Sequence, residues 1–428
     1  MSSEPQSVIH ERERAFLVGM GVRGTRPLLS VDDSLDELAL LADTAGMEVV
    51  GETTQNVAHI DPATFIGSGK VEEIKEMLLA NDAQVVIFDD ELSPRHQRGL
   101  ETKLGEETKV LDRSALILDI FAQHARTKEG SLQVELAQYE YRLPRLTRAW
   151  SHLARLGGGI GTRGPGETQL EVDRRDIRRR ISKLKEEIEG VRAHRSRYRA
   201  QRERTGVPLI ALVGYTNAGK STLLRALTGA DVYIANQLFA TLDPTTRQLD
   251  LPSGRKALIS DTVGFIQKLP TTLIAAFRAT LEEINQADVI LEVADINHPN
   301  VLQHIETVED TLAEIDVPPV PRVLVWNKVD LWGDQPKPEL PDPQQYVAQV
   351  EVSATKKIGV DALLDAIEKA LASSLYQTTL CLPYERGDLV SLLHEMGSVE
   401  EQTHTEAGIV LKVQLPQSLY ERFKEYQT

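Results

Sequence analysis

The segment that most restricts this chain is Gly214-Tyr215-Thr216-Asn217-Ala218-Gly219-Lys220-Ser221, a G-x-x-x-x-G-K-[ST] run between an apolar strand pattern, Val207–Gly214, and a helical one. In that setting backbone N–H groups of a loop and a helix N-terminus converge on phosphate oxygens, and glycines let the chain approach them. Lys220 would neutralise the outer phosphates, and the Ser221 hydroxyl would ligate Mg²⁺. A strand–loop–helix of this kind commits its surroundings to a parallel, doubly wound α/β sheet.

Three more motifs follow in order, each at the carboxyl end of a predicted strand. Asp261-Thr262-Val263-Gly264 closes Ala257–Ser260; its carboxylate can hold Mg²⁺ through water, and the Gly264 N–H can meet a third phosphate. Asn327-Lys328-Val329-Asp330 follows Arg322–Trp326. A carboxylate at Asp330 accepts from N1–H and the 2-amino group of guanine, donors that adenine lacks, so adenine would leave a charge unpaired. Lys328 can cover the ring and tie back to the phosphate loop. Ser353-Ala354-Thr355, after the strand Tyr346–Val352, would offer backbone N–H groups to the guanine O6. Lys220, Asp261 and Gly264 are the expected catalytic groups. Between the first two motifs, a threonine of Leu238-Phe239-Ala240-Thr241-Leu242-Asp243-Pro244-Thr245-Thr246 should complete the Mg²⁺ shell when the third phosphate is present. Spacing alone leaves Thr241, Thr245 and Thr246 open. Phe265 stands where a glutamine orients the attacking water in Ras-like proteins, and a phenyl ring cannot do that. Slow intrinsic hydrolysis, dependent on a partner or a rearranged loop, is expected.

The rest of the chain reads as three further pieces. Strand patterns Arg14–Val22, Met47–Thr53 and Gln84–Phe88 alternate with helical ones, Ser34–Ala45, Lys70–Asn81 and one begun by Ser93-Pro94, a βαβ series. Leu132, Leu136, Tyr139, Leu143, Leu146, Trp150 and Leu153 then form a heptad seam, with Pro144 inside it expected to kink or break the helix. A second seam runs through Ile177, Ile181, Leu184, Ile188 and Val191. The two should close as an antiparallel helical hairpin tipped by residues 157–166, which hold six glycines. The C-terminal stretch after Ser373 reads β-α-β-β-α, with strands Thr378–Leu382 and Ile409–Leu415 and a last helix Gln417–Tyr426. The expected fold class is therefore α/β and multidomain: an N-terminal α/β domain (1–130), the hairpin (131–205), a Ras-like P-loop domain (206–375) and a small α+β domain (376–428).

Charge is divided along the same lines. The chain of 428 residues carries a formal net charge of −16, yet residues 142–204 hold 18 Lys/Arg and 8 Asp/Glu, a local +10 that leaves −26 elsewhere. Contact with a polyanion, if made, is confined to that segment. One cysteine, Cys381, cannot form an internal disulfide, so a reducing, cytoplasmic setting is expected. No apolar run of about 18 residues is present, and Met1 to Arg14 is polar, so neither a membrane-spanning helix nor a secretory signal is expected. Gly67-Ser68-Gly69-Lys70 lacks the upstream glycine of a phosphate loop and reads as a turn capping the next helix. The ten histidines show no zinc-ligand spacing.

With these residues in hand, the chain resembles the HflX family of ribosome-associated GTPases over nearly its whole length. The resemblance is carried by Phe65–Lys70, Leu118–Thr127, Gln133–Ala137, Gly158–Arg175, Gly214–Ser221, Phe239–Asp243 and Asp261–Gly264. Most specific is the Gly-rich stretch continued as E-T-Q-L-E-V-D-R-R. The resemblance implies GTP and GDP as ligands, Thr241 as the second Mg²⁺ ligand beside Ser221, and Phe239–Asp243 against the nucleotide. It gives Asn217 to a K⁺ ion, and it makes a hydrophobic residue at Phe265 usual. It further implies binding to the 50S ribosomal subunit, favoured by GTP, with the glycine tip approaching ribosomal RNA, and separation of stalled ribosomes under stress. A monomer is expected. A GTP-gated ribosome-assembly or RNA-binding scaffold shares every motif and differs only in its target, and Asn327–Asp330 disfavours an unrelated P-loop kinase or ATPase.

Overall fold

The computed structural model describes residues 12–25, 27–105, 107–146, 169–205, 207–229, 238–239, 241, 245–270, 283–333, 335–373, 376–396, 398–405, 408–415, 420 and 423–427. The chain divides into two compact units. One comprises Met1–Glu186 with Gln237–Phe239 and Lys268–Ala276; the other comprises Glu187–Asn236, Ala240–Gln267 and Phe277–Thr428.

The first unit is built on a four-stranded parallel sheet, β1 (Arg14–Val22), β2 (Glu48–Val57), β3 (Val85–Phe88) and β4 (Lys109–Asp112), in the order β2-β1-β3-β4. Helices α1 (Val31–Thr44), α2 (Ser68–Ala80), α3 (Pro94–Leu104) and α4 (Arg113–His124) connect and follow the strands. Their starts are written in the sequence. Ser30, Ser93 and Asp112 each accept a hydrogen bond from a first-turn N–H, and Pro94 follows Ser93 where its missing N–H costs nothing. Gly67 is the residue before α2, which makes Gly67–Lys70 a helix start, as its spacing predicts. Phe16, Val18, Ile66, Ile74, Val86, Phe88 and Leu100 form the core of this unit.

Helix α5 (Lys128–Arg145) stops one residue after Pro144, whose ring clashes with the preceding turn and ends the helix there. Trp150, Leu153 and the glycine tip lie outside the described residues. Helix α6 (Gln169–Thr205) has 37 residues, and Ile177, Ile181, Leu184, Ile188 and Val191 are its less exposed stripe. Leu132 and Leu136 of α5 and Leu184 and Ile188 of α6 are buried, and charge pairs are added beside them. Arg180 forks onto Glu135 through two bonds of 2.8 Å, and Lys185 reaches Glu140 at 2.8 Å. Helix α5 packs on α4.

The second unit holds a six-stranded sheet in the order β10-β9-β8-β5-β7-β6: β5 (Leu209–Gly214), β6 (Thr245–Asp250), β7 (Lys256–Asp261), β8 (Val289–Asp295), β9 (Arg322–Asn327) and β10 (Ala348–Val352). All pairs are parallel except β6 with β7. Strand β6 is an edge with no counterpart among the predicted strands. The strands β5 and β8 are buried throughout or nearly so because helices cover both faces: α7 (Lys220–Thr228) and α9 (Val360–Ser373) flank one core, and α8 (Val301–Glu314) packs on the other. Chain order reverses between β5 and β8, and ligands of open α/β sheets bind beside that reversal at the strands' carboxyl ends. A three-stranded antiparallel sheet ends the chain: β11 (Tyr376–Leu382), β13 (Gly408–Leu415) in the centre and β12 (Ser398–Thr405), with α10 (Gly387–Met396) between β11 and β12. Of the expected last helix only Tyr420 and 423–426 are described, and Lys424–Tyr426 is a 3₁₀ turn. No helix among the described residues is long and apolar enough to cross a membrane.

Candidate nucleotide site

Strand β5 runs out at Gly214, whose φ of +147° suits glycine and where a Cβ would lie 2.3 Å from the Val293 carbonyl. The loop turns through Asn217 at φ 59° and Gly219 at φ 96° and enters α7 at Lys220. The buried Lys220 ammonium donates to the carbonyls of Gly214 (3.0 Å) and Tyr215 (2.8 Å). Burial pushes it down to about 8, opposed by the charge of Asp261. Among the described residues no carboxylate forms an ion pair with it, and an ammonium so placed at the bottom of a glycine loop has the chemistry to receive phosphate oxygens.

Asp261, at the end of β7, brings the second motif alongside. Ser221 Oγ donates to Asp261 Oδ2 at 2.7 Å and shares a 2.8 Å hydrogen bond with Thr241 Oγ1. Among the described residues, Asp261 Oδ1 is buried without a hydrogen-bond partner. Two hydroxyls and a carboxylate drawn together, with one oxygen unsatisfied, are the hard donors Mg²⁺ takes in its partly hydrated shell, so the residues present fit that ion. Burial raises the Asp261 carboxyl, against the pull of Lys220. Thr245 and Thr246 fall in β6, where Thr246 Oγ1 lies 3.2 Å from Ser260 Oγ. Thr262 hydrogen-bonds the Leu212 carbonyl at 2.6 Å, and Val263 and Phe265 are buried.

The motif expected to read the base begins where β9 ends, at Asn327. Asn327 ties three loops together: its Nδ2 donates to the Ala218 carbonyl at 2.8 Å and its Oδ1 accepts from the Ala354 N–H at 3.1 Å. The link to the phosphate loop expected of Lys328 is thus made by Asn327. Lys328, at φ 65°, instead pairs with Asp295 at 2.7 Å, because Asp295 ends the neighbouring strand β8. The Ala354 N–H expected at the base serves Asn327 here. Asp330 accepts from Ser353 Oγ at 2.7 Å, which holds its carboxyl below the usual range and keeps it ionised, and Lys356 lies 3.5 Å away.

The whole chain is similar to proteins of one kind. Four family models match: "GTP-binding GTPase N-terminal" over residues 32–122, "GTP-binding GTPase Middle Region" over 124–202, "50S ribosome-binding GTPase" over 209–328 and "HflX C-terminal domain" over 343–422. GTPase HflX of Caldanaerobacter subterraneus subsp. tengcongensis is 46% identical over 423 residues, covering 98% of this chain and 95% of its own. The chain belongs to the HflX family.

As an HflX-family member it is a GTP-hydrolysing enzyme. GTPase HflX of Escherichia coli K12 is 45% identical over 386 residues, 90% of each chain. Among solved structures, a GTP-binding protein of Sulfolobus solfataricus in complex with GDP aligns over 84% of this chain and 99% of that one, with 23% identity and a TM-score of 0.43.

Of the segment that the HflX resemblance sets against the nucleotide, Phe239 and Thr241 are described, and Ala240, Leu242 and Asp243 lie outside the described residues. Thr241 is at Ser221, whereas the Phe239 ring meets Phe121 edge-on, centroids 4.6 Å apart. Val329 packs against the cluster around Trp326 and Tyr346, and Thr355 is exposed in the loop after β10. Three residues escaped the sequence reading: Asp295, Asn297, which donates to the Lys328 carbonyl at 2.8 Å, and His304. Asp295 carried a usable signal, a carboxylate ending a buried strand one place from β5. His304, mid-helix, carried none.

Proposed function

We propose that the protein is a GTP-driven switch that associates with the 50S ribosomal subunit and dissociates or rescues stalled ribosomes under stress. Its hydrolysis is slow alone and stimulated on the ribosome. The observation that carries the reading is the separation of charge: an acidic chain whose basic residues gather at 142–204, with Arg175, Arg178 and Arg179 exposed on α6. A match to a family model described as a 50S ribosome-binding GTPase supports the choice of partner.

In this reading Asp330 selects guanine, and Lys220 and the Gly264 N–H meet the charge that develops on the outer phosphate. Ser221 and Thr241, with Asp261 behind them, would hold Mg²⁺, which would supply positive charge against the outer phosphates. Asn217 is given to K⁺. Phe265 is 1% exposed, so no side chain at that position orients water, and the ribosome supplies the missing order.

Purified 70S ribosomes incubated with the protein and the β,γ-imido analogue of GTP, then sedimented through sucrose, should separate into subunits with the protein on the 50S. Intact 70S particles with the protein left at the top of the gradient would overturn the proposal. Binding to assembly precursors alone would replace it with the scaffold reading.

A further inference from the structure

The phosphate loop is assigned to the nucleotide through its backbone, which leaves the side chain of Tyr215 unused. That side chain is buried, and its ring lies flat against His304 of α8, with centroids 3.7 Å apart and planes within 2°. The ring of His298, after β8, is tilted against that of His304 with centroids 4.2 Å apart. Burial, helped by His298, pushes His304 down to about 3, so a neutral imidazole faces the phenol. The Tyr215 hydroxyl accepts the backbone N–H of Gln267 at 2.9 Å. Two backbone bonds lie beside it, Phe265 N–H to the Gly214 carbonyl (3.1 Å) and Thr216 N–H to the Phe265 carbonyl (2.8 Å). Together they hold residues 264–267 against the phosphate loop as a short parallel bridge.

The consequence falls on the outer phosphate. A Cβ on Gly264 would stand 2.9 Å from Thr216 Cα and 3.1 Å from Lys220 Nζ. A phosphate oxygen bound to that ammonium needs about 2.7–2.9 Å from it, with the rest of the phosphoryl group beyond. With Lys220 read as the receptor of the outer phosphate, a third phosphate has to enter beside Gly264, whose N–H can meet it only after that residue shifts outward, and a diphosphate makes no such demand.

We propose that Tyr215, its ring clamped by His304, is a specificity-determining residue that latches residues 264–267 over the outer-phosphate end of the pocket, so that the triphosphate must break the latch and the diphosphate need not. The proposal rests on the reading of this pocket as a GTP/GDP site. A ligand that needs a minor conformation binds more weakly by the fraction in which that conformation is present. Removing one hydrogen bond from the latch should therefore favour the triphosphate by about fivefold, the weight of one net hydrogen bond.

The test is calorimetry of the full chain in magnesium buffer with GDP and with the β,γ-imido GTP analogue. Tyr215→Phe keeps the ring and removes the hydroxyl that accepts from Gln267, and the ratio of analogue affinity to GDP affinity should rise about fivefold. His304→Leu should raise the same ratio, and the double variant should add little to either change, since both act on one bond. An unmoved or lowered ratio in Tyr215→Phe overturns the latch, and fully additive effects overturn the clamp. Absence of heat from both nucleotides with the wild-type protein removes the pocket itself and the latch with it, whereas heat from both with an unmoved ratio removes the latch alone.

Discussion

Glu292 sits in the middle of β8, 1% exposed, in a strand otherwise apolar until Asp295. Its carboxyl meets the Tyr346 hydroxyl at 3.0 Å, and burial pushes it up to about 8, opposed by that hydrogen bond and abetted by the charge of Glu309. In the unfolded chain the same group loses its proton near 4.5. Between those values the folded protein holds the extra proton, so this residue's contribution to stability falls as pH rises from about 4.5 to about 8 and levels off above. Each unit of separation is worth about 1.4 kcal/mol at most. Glu292→Gln keeps the shape and cannot ionise. Its melting temperature, relative to wild type, should be higher at pH 8.5 than at pH 5 by several degrees, as differential scanning fluorimetry would read. An equal difference at the two pH values would show that the buried carboxyl does not retain its proton.

Helix α6 divides its arginines between two jobs. Arg180 is committed to Glu135, and Arg174 reaches the Leu146 carbonyl at 3.0 Å, so reversing either disturbs the fold. Arg175, Arg178 and Arg179 are exposed. Replacing these three with glutamate should weaken 50S binding in a filter assay and flatten its dependence on salt, by about one unit of log–log slope for each phosphate no longer neutralised. Unchanged affinity and slope would make this face a solvated one. The seam of α6 was legible because a 4, 3 spacing of Ile177, Ile181, Leu184 and Ile188 has one helical meaning. Strands β5, β7, β8 and β9 were legible for a related reason: a parallel strand covered on both faces is a short apolar run, whereas the edge strand β10, A-Q-V-E-V, shows itself by alternation, with Val350 and Val352 buried and Gln349 and Glu351 exposed. Edge strand β6, T-T-R-Q-L-D, has one buried side chain, Leu249, and so no apolar run to read. In the pocket, residues fixed by spacing were readable and those fixed by packing were not. Lys220 and Asp330 belong to contiguous motifs, while the partners that hold their neighbours, Asp295 for Lys328 and His304 for Tyr215, come from elements whose placement only the fold decides.

At the scale of the molecule, each unit carries a core of its own, around Phe16, Val86 and Phe88 in one and around Ile210, Leu291 and Val325 in the other. The nucleotide motifs from Gly214 to Ser221, from Asp261 to Gly264 and from Asn327 to Thr355 all fall in the second. A ligand raises the stability of what it binds folded, by about 2.7 kcal/mol at a hundred times its dissociation constant. For a unit of this size that is worth about 5–10 °C. Two cores of which one holds the ligand need not melt together. Scanning calorimetry of the full chain should therefore resolve two transitions, and GDP with Mg²⁺ should move one of them by about that amount while leaving the other within about a degree. A single transition that shifts as a whole would mean that the two cores unfold as one, and nucleotide binding would then be felt equally at Phe88 and at Leu291.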